Sequence, residues 1–388
     1  MHFSRFAVRG TARACRTVVA LAVVVTVAGC SSLWGGGSSK PVPGDLGANV
    51  AVLGVRQAWT SRVGGLAGMP MEVHTAGHLV TLASADGVVV SIDARTGGDV
   101  WRANLGEPLS AGVGSEGKTA AVVSRGNELV LLEAGRERWR HATGAQVFTP
   151  PLVAGGRVFV LSADRAISAF DAATGRKLWV QQRPGEALVL RQAGVLRPVG
   201  DTLVVGLSGR LVGLNPDNGS VRWEAPLASP RGTNDVERLV ELVGRTTREG
   251  ESVCARAFQA SVGCVNTVRG AVAWTQPASG AEGVHGDGDA VFGSESNGSV
   301  IAWRRMDGSR LWATDRLKHR KLTAPLLLGR SVVVGDDMGL VHFLSRSDGA
   351  PLNRVSTDGS GIGAAPVVAA DTLVVVTRNG GIFGFRPD

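Results

Sequence analysis

The chain has 388 residues, 44% hydrophobic and 19% charged, with 54 glycines, 16 prolines and no tyrosine. That apolar content excludes wholesale disorder, and glycine without a three-residue period excludes a collagen-like rod. The formal charge of +8 falls to +4 once Arg5, Arg9, Arg13 and Arg16 of the first 29 residues are set aside; with no helix-turn-helix or base-stacking signature, nucleic acid is not expected as a partner.

The N-terminus reads as a secretory leader. The four arginines precede an apolar stretch, Val18 to Ala28, too short for a membrane span, which needs ~20 residues. The stretch ends in Val27-Ala28-Gly29-Cys30, followed by Ser31 and Ser32. This resembles the bacterial lipobox, in which a peptidase cuts before the cysteine. The resemblance implies diacylglycerol on the Cys30 thiol and an acyl chain on its amine. The absence of aspartate after Cys30 implies delivery to the outer membrane. Several chains would anchor firmly where one alone is marginal. Residues 30–49 then read as a tether, flexible at Gly35 to Ser39 and broken by Pro41 and Pro43.

From residue 50 to 388 the sequence repeats itself. Ile92-Asp93-Ala94-Arg95-Thr96-Gly97 precedes Trp101; Phe170-Asp171-Ala172-Ala173-Thr174-Gly175 precedes Trp179; Leu214-Asn215-Pro216-Asp217-Asn218-Gly219 precedes Trp223. Weaker copies end at Trp139, Trp274 and Trp312, Asn353 stands where a further tryptophan would fall, and Trp59 marks the phase upstream. Within one unit, Pro151–Val153, Arg157–Leu161, Ala166–Phe170 and Lys177–Val180 read as four short strands punctuated by Gly155-Gly156, Asp164-Arg165 and Thr174-Gly175. One such meander cannot bury both faces. Radial stacking does so, and closure of the ring protects its edges.

The expected fold is therefore all-β: an eight-bladed propeller of four-stranded antiparallel blades, or seven-bladed should one unit be an insertion. The last blade has only three strands after Asn353, so the segment around Trp59 must supply its fourth. The N- and C-terminal strands then pair to close the ring. The tryptophans at 59, 101, 139, 179, 223, 274 and 312 serve as wedges against the neighbouring sheet. The phrase resembles the tryptophan-docking repeat of quinoprotein-type propellers.

Chemistry is sparse. None of the seven histidines falls in a zinc-protease or zinc-finger spacing, and no nucleophile elbow or P-loop occurs. No metal and no cofactor is expected. Asp287 and Asp289, flanking Gly288, read as a solvated turn more readily than as a calcium loop. Cys254 and Cys264 flank a turn and suit either a cross-hairpin disulfide or two buried thiols. The repeat also builds quinone-dependent dehydrogenases, but the adjacent cysteine pair those enzymes often carry is absent.

A lipobox, a short tether and eight lean repeats together resemble the BamB family, the propeller lipoproteins of the outer-membrane β-barrel assembly machinery. Leu188, Leu190 and Arg191 match the family's leucine/arginine loop, which contacts the central barrel subunit. Glu241 matches the first acid of a second contact loop, within the segment Asp235 to Val243, but Val243 replaces the second acid. The resemblance implies a non-enzymatic scaffold on the periplasmic face of the outer membrane. It implies the barrel-assembly subunit as partner and unfolded outer-membrane proteins as clients. A quinone-dependent dehydrogenase, or a propeller lipoprotein binding polysaccharide or another envelope partner, is the alternative. As an extended strand, residues 188–190 would turn both leucines to one side, an interface composition beside an arginine. The basic run Arg316, Lys318, His319, Arg320 and Lys321 suits anionic lipid, an acidic partner or plain solvent.

Overall fold

A computed structural model describes residues 41–184, 188–230, 234 and 239–388. The leader, Cys30, the first part of the tether and parts of both contact loops (185–187 and 235–238) lie outside the described residues. Residues 43–388 form one compact unit.

That unit is an eight-bladed β-propeller, each blade a four-stranded antiparallel sheet. Blades 1 to 7 run in chain order over residues 74–104, 109–142, 152–182, 196–226, 242–277, 284–314 and 326–356. Blade 8 takes its three inner strands from 367–387 and its outer strand from Val55–Arg62. The closing pair runs from Val55 opposite Pro387 to Arg62 opposite Gly381. The two ends of the chain thus complete one sheet, as the phase of the repeat requires.

The middle strands explain why these residues form sheets. In blade 3, Val158, Phe159, Val160, Ile167 and Ala169 are buried on both faces, because a sheet covers them on either side. β-branched and aromatic side chains fill such pleated, doubly covered surfaces well. Apolar clusters lie between successive blades around the whole ring; the largest joins blade 8 to blades 1 and 2 through Ile382, Val376, Val80 and Val122.

The tryptophans sit on the outer strands, next to a bulge that recurs at Ser91/Ile92, Ala169/Phe170, Gly213/Leu214 and Ala302/Trp303 of the partner strand. Each indole reaches the turn before the outer strand of the next blade. The Nε1–H groups of Trp59, Trp139, Trp179, Trp274 and Trp312 donate to the carbonyls of Ala94, Ala172, Pro216, Arg305 and Arg346, at 2.7–2.9 Å. The rings cover the turn glycines Gly97, Gly175, Gly219, Gly308 and Gly349. Trp101 and Trp223 cover Gly135 and Gly270, but their indole nitrogens find no acceptor among the described residues.

Asn353 departs from this pattern with a purpose. Its Nδ2 donates to the Leu53 carbonyl, its Oδ1 accepts from Asn49, and the Leu53 amide donates to Leu352. The Arg354 guanidinium donates to the Gly47 carbonyl, the Gly44 amide donates to Lys318, and Leu46 packs on the cluster between blades 6 and 7. A strap from the N-terminal segment therefore occupies the place of the eighth wedge. The tether expected to reach Asn49 is bound to the propeller from Gly44 onward.

Candidate docking face

In a meander, the link from each outer strand to the next blade emerges on the same face of the ring as the turn between its second and third strands. Backbone bonds tie the two sets together: Ala163 to Gln146, Leu227 to Gly209, Gln259 to Gly280 and His319 to Asn297. The two longest links are 183–195, leaving blade 3, and 227–241, leaving blade 4. They carry Leu188, Leu190, Arg191 and Glu241. Although separate in sequence, they meet over blades 3 to 5, and an isolated bridge pairs Gly194 with Val243.

Arg165 organises this meeting. It occupies the turn between the second and third strands of blade 3 in the left-handed region, at φ 66°, with its side chain 7% exposed. Its Nη1 lies 2.8 Å from Glu241 Oε1 and donates to Ser208 Oγ at 2.9 Å, and its Nη2 approaches the Leu188 carbonyl at 3.4 Å. One guanidinium thus binds both links and the corresponding turn of blade 4. Burial pushes the Glu241 carboxyl above its usual range, against the opposite pull of Arg165.

The residues around this ion pair form a shallow cleft of about 50 Å³, with Val189 and Leu190 on its wall beside Leu161, Leu207 and Leu242. Residues 188–190 are not in a strand and have no strand partner among the described residues. No strand pleat therefore sets the two leucines to one side. Leu188 is 39% exposed, whereas Leu190 lines the cleft. Arg191 is exposed. Val243 is buried in the first strand of blade 5, so an acid there would not reach the surface without rearrangement.

The other candidates are structural in placement. The Cys254 and Cys264 sulfurs are joined across the central hairpin of blade 5, where the two residues face each other in register. Asp287 and Asp289 both pair with Arg346 Nη2, at 2.6 and 2.8 Å, bridging blades 6 and 7. Within the basic run, Arg320 pairs with buried Asp336 at 2.8 Å, the Lys321 amide donates to Asp337, and the Lys318 carbonyl holds Gly44. Among the described residues, no three histidine, cysteine or acidic side chains converge as a metal site would require.

Residues 85–314 match the family profile described as outer membrane protein assembly factor BamB. A protein of that name from Burkholderia pseudomallei is 40% identical over 373 residues, covering 95% of this chain and 97% of that one. Another from Bordetella pertussis is 36% identical over 377 residues, covering 96% and 97%. Among solved structures, BamB from Moraxella catarrhalis superposes with a TM-score of 0.77 at 24% identity, over 86% of this chain and 99% of that one. The quinohemoprotein alcohol dehydrogenase of Comamonas testosteroni shares the fold, with a TM-score of 0.65 at 14% identity over 86% and 77%.

Proposed function

The chain belongs to the BamB family of outer membrane protein assembly factors, and from that premise we propose that its propeller is a non-enzymatic docking scaffold for the barrel-assembly subunit. The lipid on Cys30 holds the ring at the periplasmic face of the outer membrane. The loops over blades 3 to 5 bind the periplasmic part of the subunit and so assist folding and insertion of outer-membrane proteins. Unfolded clients have a further point of contact in the outer strands of the blades, whose free edges can accept an added strand.

The observation carrying this reading is the Arg165 latch. It ties the Leu188 backbone and Glu241 to blade 3, next to the cleft lined by Leu190, with Leu188 and the neighbouring Arg191 exposed. An apolar anchor flanked by arginine on a pre-formed surface is the composition of an interface centre. Glu241 acts in this reading through Arg165, since its carboxylate is turned to that partner. Titration of the periplasmic domain of the barrel-assembly subunit against the wild-type propeller and the L190A/R191E variant tests the assignment. A loss of affinity of about 2 kcal/mol or more is expected for paired hot-spot residues. Undiminished binding by a correctly folded variant would move the site elsewhere.

A further inference from the structure

The first strands of the blades surround the propeller axis, and a cavity of about 680 Å³ runs between them. Most of its wall is small or apolar, as at Ala76, Val153 and Val367. Blades 4 to 6 contribute Arg197, Arg245, Arg248 and His285, and blades 1 and 2 contribute His74 and Glu116. Glu72, in the segment leading into blade 1, lines the same cavity.

Arg197 and Arg245 donate to carbonyl and hydroxyl acceptors, with the Glu72 carboxylate as the nearby counter-charge. Arg197 Nη1 donates to the Thr246 carbonyl at 2.7 Å and to Thr246 Oγ1 at 3.2 Å. Arg245 Nη1 donates to the Pro366 carbonyl, 121 residues away in the approach to blade 8, at 2.7 Å. His285 Nδ1 accepts the Leu327 amide at 3.0 Å, which leaves the ring proton on Nε2 as a donor. Burial first, then Arg245 and Arg197, push this histidine down to about 3, so at neutral pH it donates as an uncharged ring.

Arg245 is also held in the left-handed region, at φ 55°, in a bulge between Val243 and Thr247. Bulges re-aim side chains, and such backbone strain persists where the surroundings over-determine it, often at ligand sites. Glu72 packs against Gly244, takes a hydrogen bond from the Arg245 backbone and lies within the electrostatic reach of both guanidinium groups. Burial raises its carboxyl despite both guanidinium groups. The wall thus carries three arginines, Arg197, Arg245 and Arg248, against two carboxylates, Glu72 and Glu116.

We propose that the axial cavity binds a small oxyanion, a carboxylate or a tetrahedral sulfate-like group, between Arg197, Arg245 and His285. The bound anion takes charge-assisted hydrogen bonds from the free guanidinium N–H groups and from His285 Nε2. This site lies on the propeller axis, and the docking link 183–195 borders it through Gly194 and Val195. Glu72 competes with the anion for the same cations.

Calorimetric titration of the mature chain with sodium sulfate, and separately with sodium acetate, at constant ionic strength tests this. Saturable binding of at least one anion is expected. Arg197→Gln and Arg245→Gln should each weaken it about tenfold, the loss of one charge-assisted bond. Glu72→Gln should tighten it, and Arg304→Gln, exposed on blade 6, should change nothing. Absence of saturable binding for both anions would overturn the proposal, as would equal losses in the Arg304→Gln control. Should the arginine variants fail to fold, wild-type crystals soaked in tungstate give the second reading. An anomalous peak between Arg197 and Arg245 supports the site, and peaks only elsewhere refute it.

Discussion

Gly97 of blade 1 lies directly beneath the Trp59 ring of blade 8, so close that a Cβ there would stand 2.6 Å from Trp59 Cδ2. The same glycine has φ 76°, a conformation L side chains rarely adopt. Gly97→Ala should therefore destabilise by about 1–3 kcal/mol from overpacking alone. Because Trp59 belongs to the closing strand, the lesion also loosens the seam between the chain ends. Urea unfolding should show a lowered midpoint, with Gly106→Ala, whose neighbourhood is open, changing it less.

The Arg165–Glu241 pair is a second point of leverage. Its side chains are 7% and 14% exposed. Arg165→Met leaves a buried carboxylate without its counter-charge and should cost about 3–5 kcal/mol. Adding Glu241→Met should recover much of the stability but not partner binding, because the Leu188 carbonyl has lost its donor. Unfolding curves and binding titrations on the two single variants and the double variant measure this coupling.

Asp336 predicts a specific acid sensitivity. Burial pushes its carboxyl up, but the bond from His342 Nε2 at 2.9 Å and the amides of Leu340 and Met338 more than offset this, and the folded pKa lies below 3.8. A depressed folded value means its stabilisation is complete above the unfolded pKa and is lost as pH falls through the folded one. Asp336→Asn should be less stable than wild type at pH 6. The gap should narrow as pH drops below about 4. Denaturant midpoints across that range decide it; a constant gap would contradict the assignment.

The Cys254–Cys264 bond closes a short hairpin loop within blade 5. For a loop of that size, the chain-entropy contribution is about 2–3 kcal/mol. Cys254→Ala/Cys264→Ala should lower the thermal midpoint while preserving the fold by circular dichroism. Mass spectrometry after alkylation without reductant should find neither wild-type thiol labelled.

The architecture was largely legible in the indole spacing. A large flat side chain placed once per sheet fixes the repeat, and three orphan strands after Asn353 demand a fourth from the other end of the chain. What escaped was the strap. Glycine and proline around residues 35–43 look like free linker, and only Leu46, Leu53 and the substitution of asparagine at 353 hinted that the segment beyond them is bound. At the docking face, Leu188, Leu190, Arg191 and Glu241 came from family resemblance. Arg165 carries no such mark, because Asp164-Arg165 reads as mere turn punctuation and its role depends on chain neighbours more than twenty residues away. Arg197, Arg245 and His285 fall at the blade repeat, 48 and 40 residues apart, but the sequence does not mark which side chains of a first strand face the axis.

In the proposed scaffold, the loops over blades 3 to 5 are the face presented to the barrel-assembly subunit. A photo-crosslinking amino acid at Leu188, 39% exposed on that face, tests it beside one at Val268, 71% exposed in the turn between the last two strands of blade 5, on the opposite face. The account predicts an adduct with the barrel-assembly subunit from position 188 and none from position 268. An adduct from 268 alone would contradict it.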